Sequence, residues 1–350
     1  MTESRKDEHV RLFQKNYQDR SVNDFDSIKF VHDSLPELCL ESIDLSTELS
    51  FGSWPVPFFI NGMTGGSEKT KGINEKLSRA AAATGITIAS GSQKAALKDP
   101  SLRGSFQILR QVNPKGFIFA NIGAELDEEA AKRAIDMLDA DGLQVHLNAP
   151  QEIVMPEGDR DFSFWLKNLE RITRAVELPI VVKEVGFGMS RNTIQKLADA
   201  GARIIDVGGR GGTNFISIEN QRRGRADFNY LQDWGQSAVI SLLEAQPYLP
   251  SVEFFASGGV RNPLDVLKAL SLGAHAIGVS GTFLHTVLEG GTDDLIRKIE
   301  EWKQQIGQIM LLLGCANLGQ LRRKSLILSG DPYQWAQQRG LELEKLARRS

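Results

Sequence analysis

Eight times between residue 56 and residue 281 the sequence repeats one rhythm: a short apolar run ending in Gly, Asn, Asp or Lys, then a helix-length amphipathic stretch. The apolar runs lie in "VPFFINGMTGG" from 56, "ITIASG" from 86, "GFIFANIG" from 116, "GLQVHLN" from 142, "PIVVKEVG" from 179, "RIIDVGG" from 203, "EFFASGG" from 253 and "AHAIGVSG" from 274. Alternating strands and helices demand parallel pairing through right-handed crossovers, which covers both faces of the sheet. That is why "PIVV", "FIFA" and "AIGV" are almost wholly apolar. Eight such units over about 230 residues point to an α/β fold of the (β/α)8 TIM-barrel type, with an open doubly wound sheet as its competitor.

The domain reading follows from the same rhythm. A single barrel spans 56–314, preceded by an N-terminal extension over 1–55 and followed by a C-terminal tail over 315–350. Three strand entries, "DADGLQV", "ADAGARIIDV" and "LSLGAHAIGV", carry a glycine where a preceding helix needs a left-handed stop. A closing helix is predicted from Thr292 as N-cap, with Asp293 and Asp294 in its first turn and Leu295, Ile299, Trp302, Ile306 and Ile309 on its buried side. The stretch "GRGGTNFISIENQRRGRADFNYLQDWG" after the sixth strand is long for a βα loop. Either a lid or a disordered excursion accounts for it, and its aromatic content favours the lid.

Charge and cysteine usage exclude several classes. Lys and Arg number 41 against 44 Asp and Glu, a net charge of −3, and no long basic run appears beyond "RRGR" at 222–225. Capture of nucleic acid is not indicated. Cys39 and Cys315 stand far apart without metal-ligand spacing, so neither a disulfide framework nor a zinc site is expected. "MTESRKDEHV" has no signal-type apolar segment, and the apolar stretch near "IMLLLG" is far too short for a bilayer. A soluble, cytoplasmic protein without membrane contacts is the expectation.

In a TIM barrel the reacting groups collect at the carboxyl ends of the strands. Those ends hold Met63, Thr64 and Gly65; Ser92, Gln93 and Lys94; Asn121; His146, Asn148, Gln151 and Glu152; Lys183; Thr213 in "GGRGGT"; Gly258 and Gly259; Ser280 and Gly281. Polar residues after a strand more often face solvent than a ligand, and a lone glycine pair marks little beyond a turn. Glycine turns after both the seventh and eighth strands carry more weight, because that is where this fold cradles phosphate on backbone N–H groups. His146 and Asn148 project from one face of a strand. Lys183, on a strand end, could form a Schiff base, pair with Glu184, or stand beside the N1/C2 edge of a flavin.

The residues "RKDEH" at 5–9, "GMTGG" at 62–66, "SGSQKAAL" at 90–97, "ANIGA" at 120–124, "HLNAPQE" at 146–152, "VVKEVGFG" at 181–188, "GGRGGTNF" at 208–215, "SIENQRR" at 217–223 and "SGGVRNPLDVLKAL" at 257–270 resemble the type 2 isopentenyl-diphosphate isomerases. These are FMN-dependent enzymes among the flavin-binding TIM barrels, and the likeness spans nearly the whole chain. It implies FMN contacts at Met63, Thr64, Gly65, Ser92, Asn121, Lys183 and Thr213, with the FMN phosphate at Gly258, Gly259, Ser280 and Gly281. It implies an isoprenoid diphosphate substrate at Arg5, Lys6, His9, Ser92, Gln93, Lys94, His146, Asn148 and Gln151, with Gln151 catalytic and Glu152 holding Mg2+. NADPH as reductant and a homo-oligomer, tetramer or larger, come with the resemblance. Asn214 departs from it, standing where Ser is usual.

The implied reaction moves the double bond of isopentenyl diphosphate to give dimethylallyl diphosphate by a 1,3-allylic proton shift, with reduced FMN as acid and base. Two rivals share the barrel. Flavin-dependent oxidation of a small hydroxy acid uses a His-Gly pair after a late strand, where this chain has Val207. A non-catalytic phospho-ligand barrel accounts for the glycine turns but not for Glu152 or the cationic amino terminus.

Overall fold

A computed structural model of the chain describes residues 5–18, 22–224 and 227–349. All eight expected strands are present: β1 (Phe58–Ile60), β2 (Ile88–Ala89), β3 (Ile118–Gly123), β4 (Gly142–Leu147), β5 (Ile180–Glu184), β6 (Ile204–Asp206), β7 (Glu253–Ser257) and β8 (Ala276–Val279). They pair in parallel in chain order, and β8 returns to β1 through Ile277↔Phe58 and Val279↔Ile60, so the barrel is closed and the open sheet is excluded.

Period-two alternation sorts the barrel interior into layers. The first, at the amino-terminal end, is apolar: Phe59, Ala89, Phe119, Val181, Ile204, Phe255 and Ala276 form one buried cluster. Gly142 completes it without a side chain, because a Cβ there would sit 2.6 Å from the Phe119 ring. A hairpin of Thr47–Leu49 and Gly52–Trp54 plugs this end, with Trp54 packed 5.6 Å from Phe59 and 5.8 Å from Phe255 between ring centroids. Burying each such ring stabilises the fold by about 2–3 kcal/mol. Two residues further along the strands the layer turns polar, with Asn61, Asn121, Gln144, Lys183, Asp206 and Ser257 all buried. Above that layer the barrel opens.

The flanking segments do more than frame the barrel. Helix α1 (Arg5–Asn16) buries Val10, Leu12 and Phe13. Strand Ile28–Phe30 of the extension pairs antiparallel with Leu326–Leu328 of the tail. The tail also sets Trp335 and Arg339 on the buried Glu244 carboxylate, at 2.9 and 2.8 Å. The closing helix starts earlier than expected, at Gly281, and runs to Leu312 with a break at Gly291, whose φ of 77° ends the first arm one residue before Thr292. Leu295, Ile299, Trp302 and Ile306 are buried as expected, while Met310 takes the deepest place near the end and Ile309 is only partly covered. The long insertion carries a helix, α2 (Phe215–Arg223), seated on Val154 and Phe187 through Ile216. Arg225, in the same insertion, lies outside the described residues.

Candidate active site

One cavity of about 1180 Å3 occupies the carboxyl end of the barrel and extends under α1. Single ligand sites usually enclose about 300–1,000 Å3, so this one has room for a cofactor and a substrate together.

The wall formed after β6, β7 and β8 is built of backbone. Gly258 and Gly259 have φ of 96° and 76°, where side chains are strained. A Cβ on Gly258 would also lie 1.8 Å from the Gly209 carbonyl. Asn23 Nδ2 donates to the Gly259 carbonyl at 2.8 Å, tying the extension to this turn. Ser280 and Gly281 open the long closing helix, whose first N–H groups have no partner within the helix, and Phe13 of α1 covers Gly281. Arg261 lines the same end but is engaged with Asp26 and Asp265 at 2.7 and 2.9 Å. An anion placed here would meet backbone N–H groups.

On the β1 to β3 side, Met63, Thr64, Ser92 and Asn121 line the cavity, and Thr64 Oγ1 is buried without a partner. Lys183 lies inside on β5, 6% exposed, its Nζ donating to the Glu184 backbone carbonyl at 2.9 Å. The pairing with the Glu184 carboxylate considered from sequence is not formed. That carboxylate instead accepts the N–H groups of Phe187 and Gly188. Burial pushes its pKa up to about 8 despite those bonds and the nearby Lys183 charge.

Opposite stands a wall built of side chains. His146 stands near the end of β4, Asn148 follows the strand, and helix Ala149–Val154 carries Gln151 and Glu152. Asn148 Nδ2 donates to Glu152 Oε1 and the Asp159 N–H to Oε2, both at 2.8 Å, while Asn148 Oδ1 is buried without a partner. Gln151 Nε2 donates to Glu219 Oε1 of α2 at 2.8 Å, and His9 Nε2 of α1 lies 3.0 Å from the same oxygen. Burial raises the Glu219 carboxyl, but bonds from His9, Gln151 and Arg222 outweigh it and hold the pKa down to about 2. Arg222 grips Glu219 and also meets Glu8 of α1 and Glu157, each at 3.0 Å. Lys6 faces the cavity with its pKa lowered to about 8 by burial and by neighbouring Arg5. Arg5 itself lies 3.7 Å from Glu157.

Of the residues singled out from sequence, all but two line this cavity. Gln93 is fully buried behind it, donating to the Ala134 carbonyl and accepting the Asn121 N–H, both at 2.9 Å. Gly65 is also absent from the lining, and a Cβ there would lie 2.1 Å from the Phe106 ring. Lys94 does line the cavity, and its ammonium is paired with Glu125 at 2.9 Å.

A family model described as FMN-dependent dehydrogenase matches residues 129–328. The isopentenyl-diphosphate delta-isomerase of Latilactobacillus sakei subsp. sakei is 48% identical, covering 97% of each chain. That of Nocardia farcinica is 47% identical over 100% of this chain and 97% of its own. The chain belongs to the FMN-dependent dehydrogenase family and to the isopentenyl-diphosphate delta-isomerases. Solved structures share the fold at much lower identity. A flavocytochrome b2 variant is 19% identical with a TM-score of 0.66, covering 98% of this chain and 84% of its own. A mandelate oxidase variant is 16% identical with a TM-score of 0.61, covering 92% and 91%.

FMN is the cofactor that goes with this family, and the chain's residues fit it: orphaned Thr64 Oγ1, the interior Lys183 ammonium and the backbone cradle at Gly258–Gly259 all border one space. Only His9 and His146 of the five histidines line the cavity, and Val207 is fully buried. Asn214, the departure from the family pattern, caps α2 by accepting the Ser217 N–H at 3.0 Å. Glu219, Arg222 and Glu125 were not singled out from sequence. A signal existed for the first two in "SIENQRR", which carried the resemblance but received no role.

Proposed function

We propose that this chain converts isopentenyl diphosphate to dimethylallyl diphosphate by a reversible 1,3-allylic proton shift. The observation that carries the proposal is convergence: Lys6, His9, His146 and Asn148 share a single cavity with Thr64, Lys183 and the Gly258–Gly259 turn, and Gln151 stands in its wall. Reduced FMN, when bound, supplies the acid–base centre and an electron-rich ring for the shift, with NADPH serving to reduce it.

The chain's residues have separable tasks. Arg5, Lys6, His9, His146 and Asn148 receive the diphosphate, whose negative charge favours the charged forms that burial disfavours in Lys6, His9 and His146. Glu152 would hold Mg2+, an ion that usually takes its other oxygen ligands from phosphate and water. Glu219 holds the Gln151 amide by its nitrogen and so leaves the carbonyl oxygen for the substrate's carbon skeleton. A neutral amide is a poor base, so Gln151 orients or relays the proton. Lys183 is the cation assigned to the electron-rich edge of the flavin.

A cytoplasmic homo-oligomer is the form this reading takes. The free thiols Cys39 and Cys315 support the compartment, and exposed Tyr230 and Trp234, on either side in sequence of the cavity-lining Gln232 and Asp233, support the assembly. No helix among the described residues is long and apolar enough to cross a membrane. The test is an anaerobic incubation of purified protein with FMN, NADPH, Mg2+ and isopentenyl diphosphate, omitting each in turn. Dimethylallyl diphosphate should form in the complete mixture. Its absence there, with flavin bound and reduced, would reject the proposal.

A further inference from the structure

At the floor of the cavity a hydrogen-bonded chain of side-chain amides crosses the barrel from β6 to β4. Asn61 Nδ2 donates to Asp206 Oδ2 at 3.3 Å, Gln144 Nε2 to Asn61 Oδ1 at 3.0 Å, and Asn121 Nδ2 to Gln144 Oε1 at 3.1 Å. The chain ends on His146, whose Nδ1 lies 2.8 Å from Asn121 Oδ1. Ser257 Oγ donates to both Asp206 oxygens at 2.9 Å. Neighbouring positions give up their side chains where the amides lie: a Cβ on Gly278 would be 2.5 Å from Asn61 Nδ2, and one on Gly62 would be 3.0 Å from Asn121 Nδ2.

The two ends of an amide are told apart by their partners, and here the partners leave no choice. The Gly62 backbone N–H, which can only donate, reaches Asn61 Oδ1 at 2.9 Å. That atom is therefore oxygen, and the nitrogen of Asn61 faces Asp206. Gln144 must then offer its nitrogen to Asn61 and its oxygen to Asn121. Asn121 in turn offers nitrogen to Gln144 and oxygen to His146, so His146 Nδ1 carries the hydrogen. Its Nε2 has no protein partner among the described residues and is not sealed from solvent, so it opens on the cavity that the ring lines.

We infer that these three amides set a tautomer: they fix His146 with hydrogen on Nδ1 and present Nε2 to the cavity as an acceptor, with Gln144 as the positioning residue at their centre. This rests on the reading above in one respect only, that His146 meets a diphosphate. A nitrogen lone pair and a phosphate oxygen repel each other. His146 engages the diphosphate through a proton on Nε2, brought by the phosphate or taken from water, so substrate binding takes up a proton at this ring. In the free protein the ring is neutral, its pKa lowered to about 4 by burial, with Glu125 favouring the charged form and Lys183, Lys6 and Lys94 opposing it. A bound diphosphate places negative charge among those cations and reverses the balance.

The test is a long-range proton–nitrogen NMR spectrum of FMN-loaded, substrate-free protein carrying 15N-labelled imidazoles, with the His146 signal assigned from His146→Gln. A protonated-type Nδ1 and an unprotonated-type Nε2 are expected in the wild type. Gln144→Met, which frees the Asn121 amide to turn, should give a mixture of tautomers. The KM for isopentenyl diphosphate should rise with pH by up to about tenfold per unit in the wild type, kcat changing less, and clearly less steeply in Gln144→Met. Comparing the two proteins cancels the substrate's own ionisation. If Gln144→Met does not fold, the wild-type spectrum decides alone. Hydrogen on Nε2 in the wild type would overturn the inference, and an Nδ1–H ring with identical KM profiles in both proteins would overturn the proton coupling. An Nδ1–H ring in a protein that does not turn over isopentenyl diphosphate would reject the substrate reading and leave the tautomer assignment standing.

Discussion

The two walls of the cavity are made of different material. After β6 to β8 the wall is main chain, shaped by glycines at positive φ and by turns too tight for a Cβ. After β4 it is side chain, assembled from α1, the segment around residues 146–159, and α2, which are far apart in sequence and joined by ion pairs. A backbone wall is rigid with the barrel and indifferent to most side-chain changes. A side-chain wall exists only while α1 stays docked, and Arg222 and Glu219 of α2 each touch both of the other segments. On the proposed assignment of FMN to the first wall and the diphosphate to the second, cofactor binding and substrate binding should fail separately.

The largest effect should come from the side-chain wall at the reacting carbons. Gln151→Ala is expected to lower turnover at least about 10²-fold while bound flavin, read by absorbance, stays stoichiometric. Turnover unchanged would remove Gln151 from the mechanism.

Gly258→Ala strikes the backbone wall. It combines a left-handed φ with a Cβ 1.8 Å from a carbonyl oxygen, so flavin affinity should fall on the order of 10²-fold, with a lower Tm. Full flavin retention would show that the cradle lies elsewhere.

Arg222→Ala should act more gently and on the other ligand. Glu219, whose side chain is fully buried, loses its strongest cation, which typically costs about 3–5 kcal/mol when nothing compensates. His9 and Gln151 remain as partners, so a rise of about tenfold in KM and a modest drop in Tm are expected, with flavin affinity unchanged. Flavin lost in step with substrate would dissolve the distinction between the walls.

The last effect falls on stability and not on either ligand, and it concerns pH. The Glu184 carboxyl titrates near 8 in the fold against 4.5 when unperturbed, so the native state binds more protons between those values. Its contribution to stability is therefore fully present below pH 4.5 and lost as pH rises towards 8, by an amount on the order of a few kcal/mol. Glu184→Gln, still able to accept from Phe187 and Gly188, should flatten the decline in Tm over that range. A decline of the same size in the variant would assign it to another group.

The backbone wall was legible in the sequence and much of the side-chain wall was not, for one physical reason. Parallel barrel strands are apolar runs, and turns without room for a Cβ must be glycine, so "EFFASGG" announces both its strand and its cradle. Ion pairs between distant segments leave no local pattern. Arg222 stands in "RRGR", which has the composition of a solvated basic run, yet only 12% of its side chain is exposed. Gln93 shows the converse error of proximity: it follows Ser92 at a strand end, but the chain has already turned into helix Lys94–Lys98 and points it at the Ala134 carbonyl. The amide layer left a fainter trace. Gln144, His146 and Asn148 share one strand parity, so a glutamine within an otherwise buried strand marks a polar partner inside the barrel.

The separation of the walls is tested most directly by titrating FMN and isopentenyl diphosphate against wild type, Gly258→Ala and Arg222→Ala under the same conditions. A crossed outcome is expected: Gly258→Ala weakens FMN far more than it weakens the diphosphate in flavin-saturated protein, and Arg222→Ala does the reverse. If both substitutions weaken both ligands by equal factors, the cavity is one coupled unit and the division into a backbone wall and a side-chain wall is wrong.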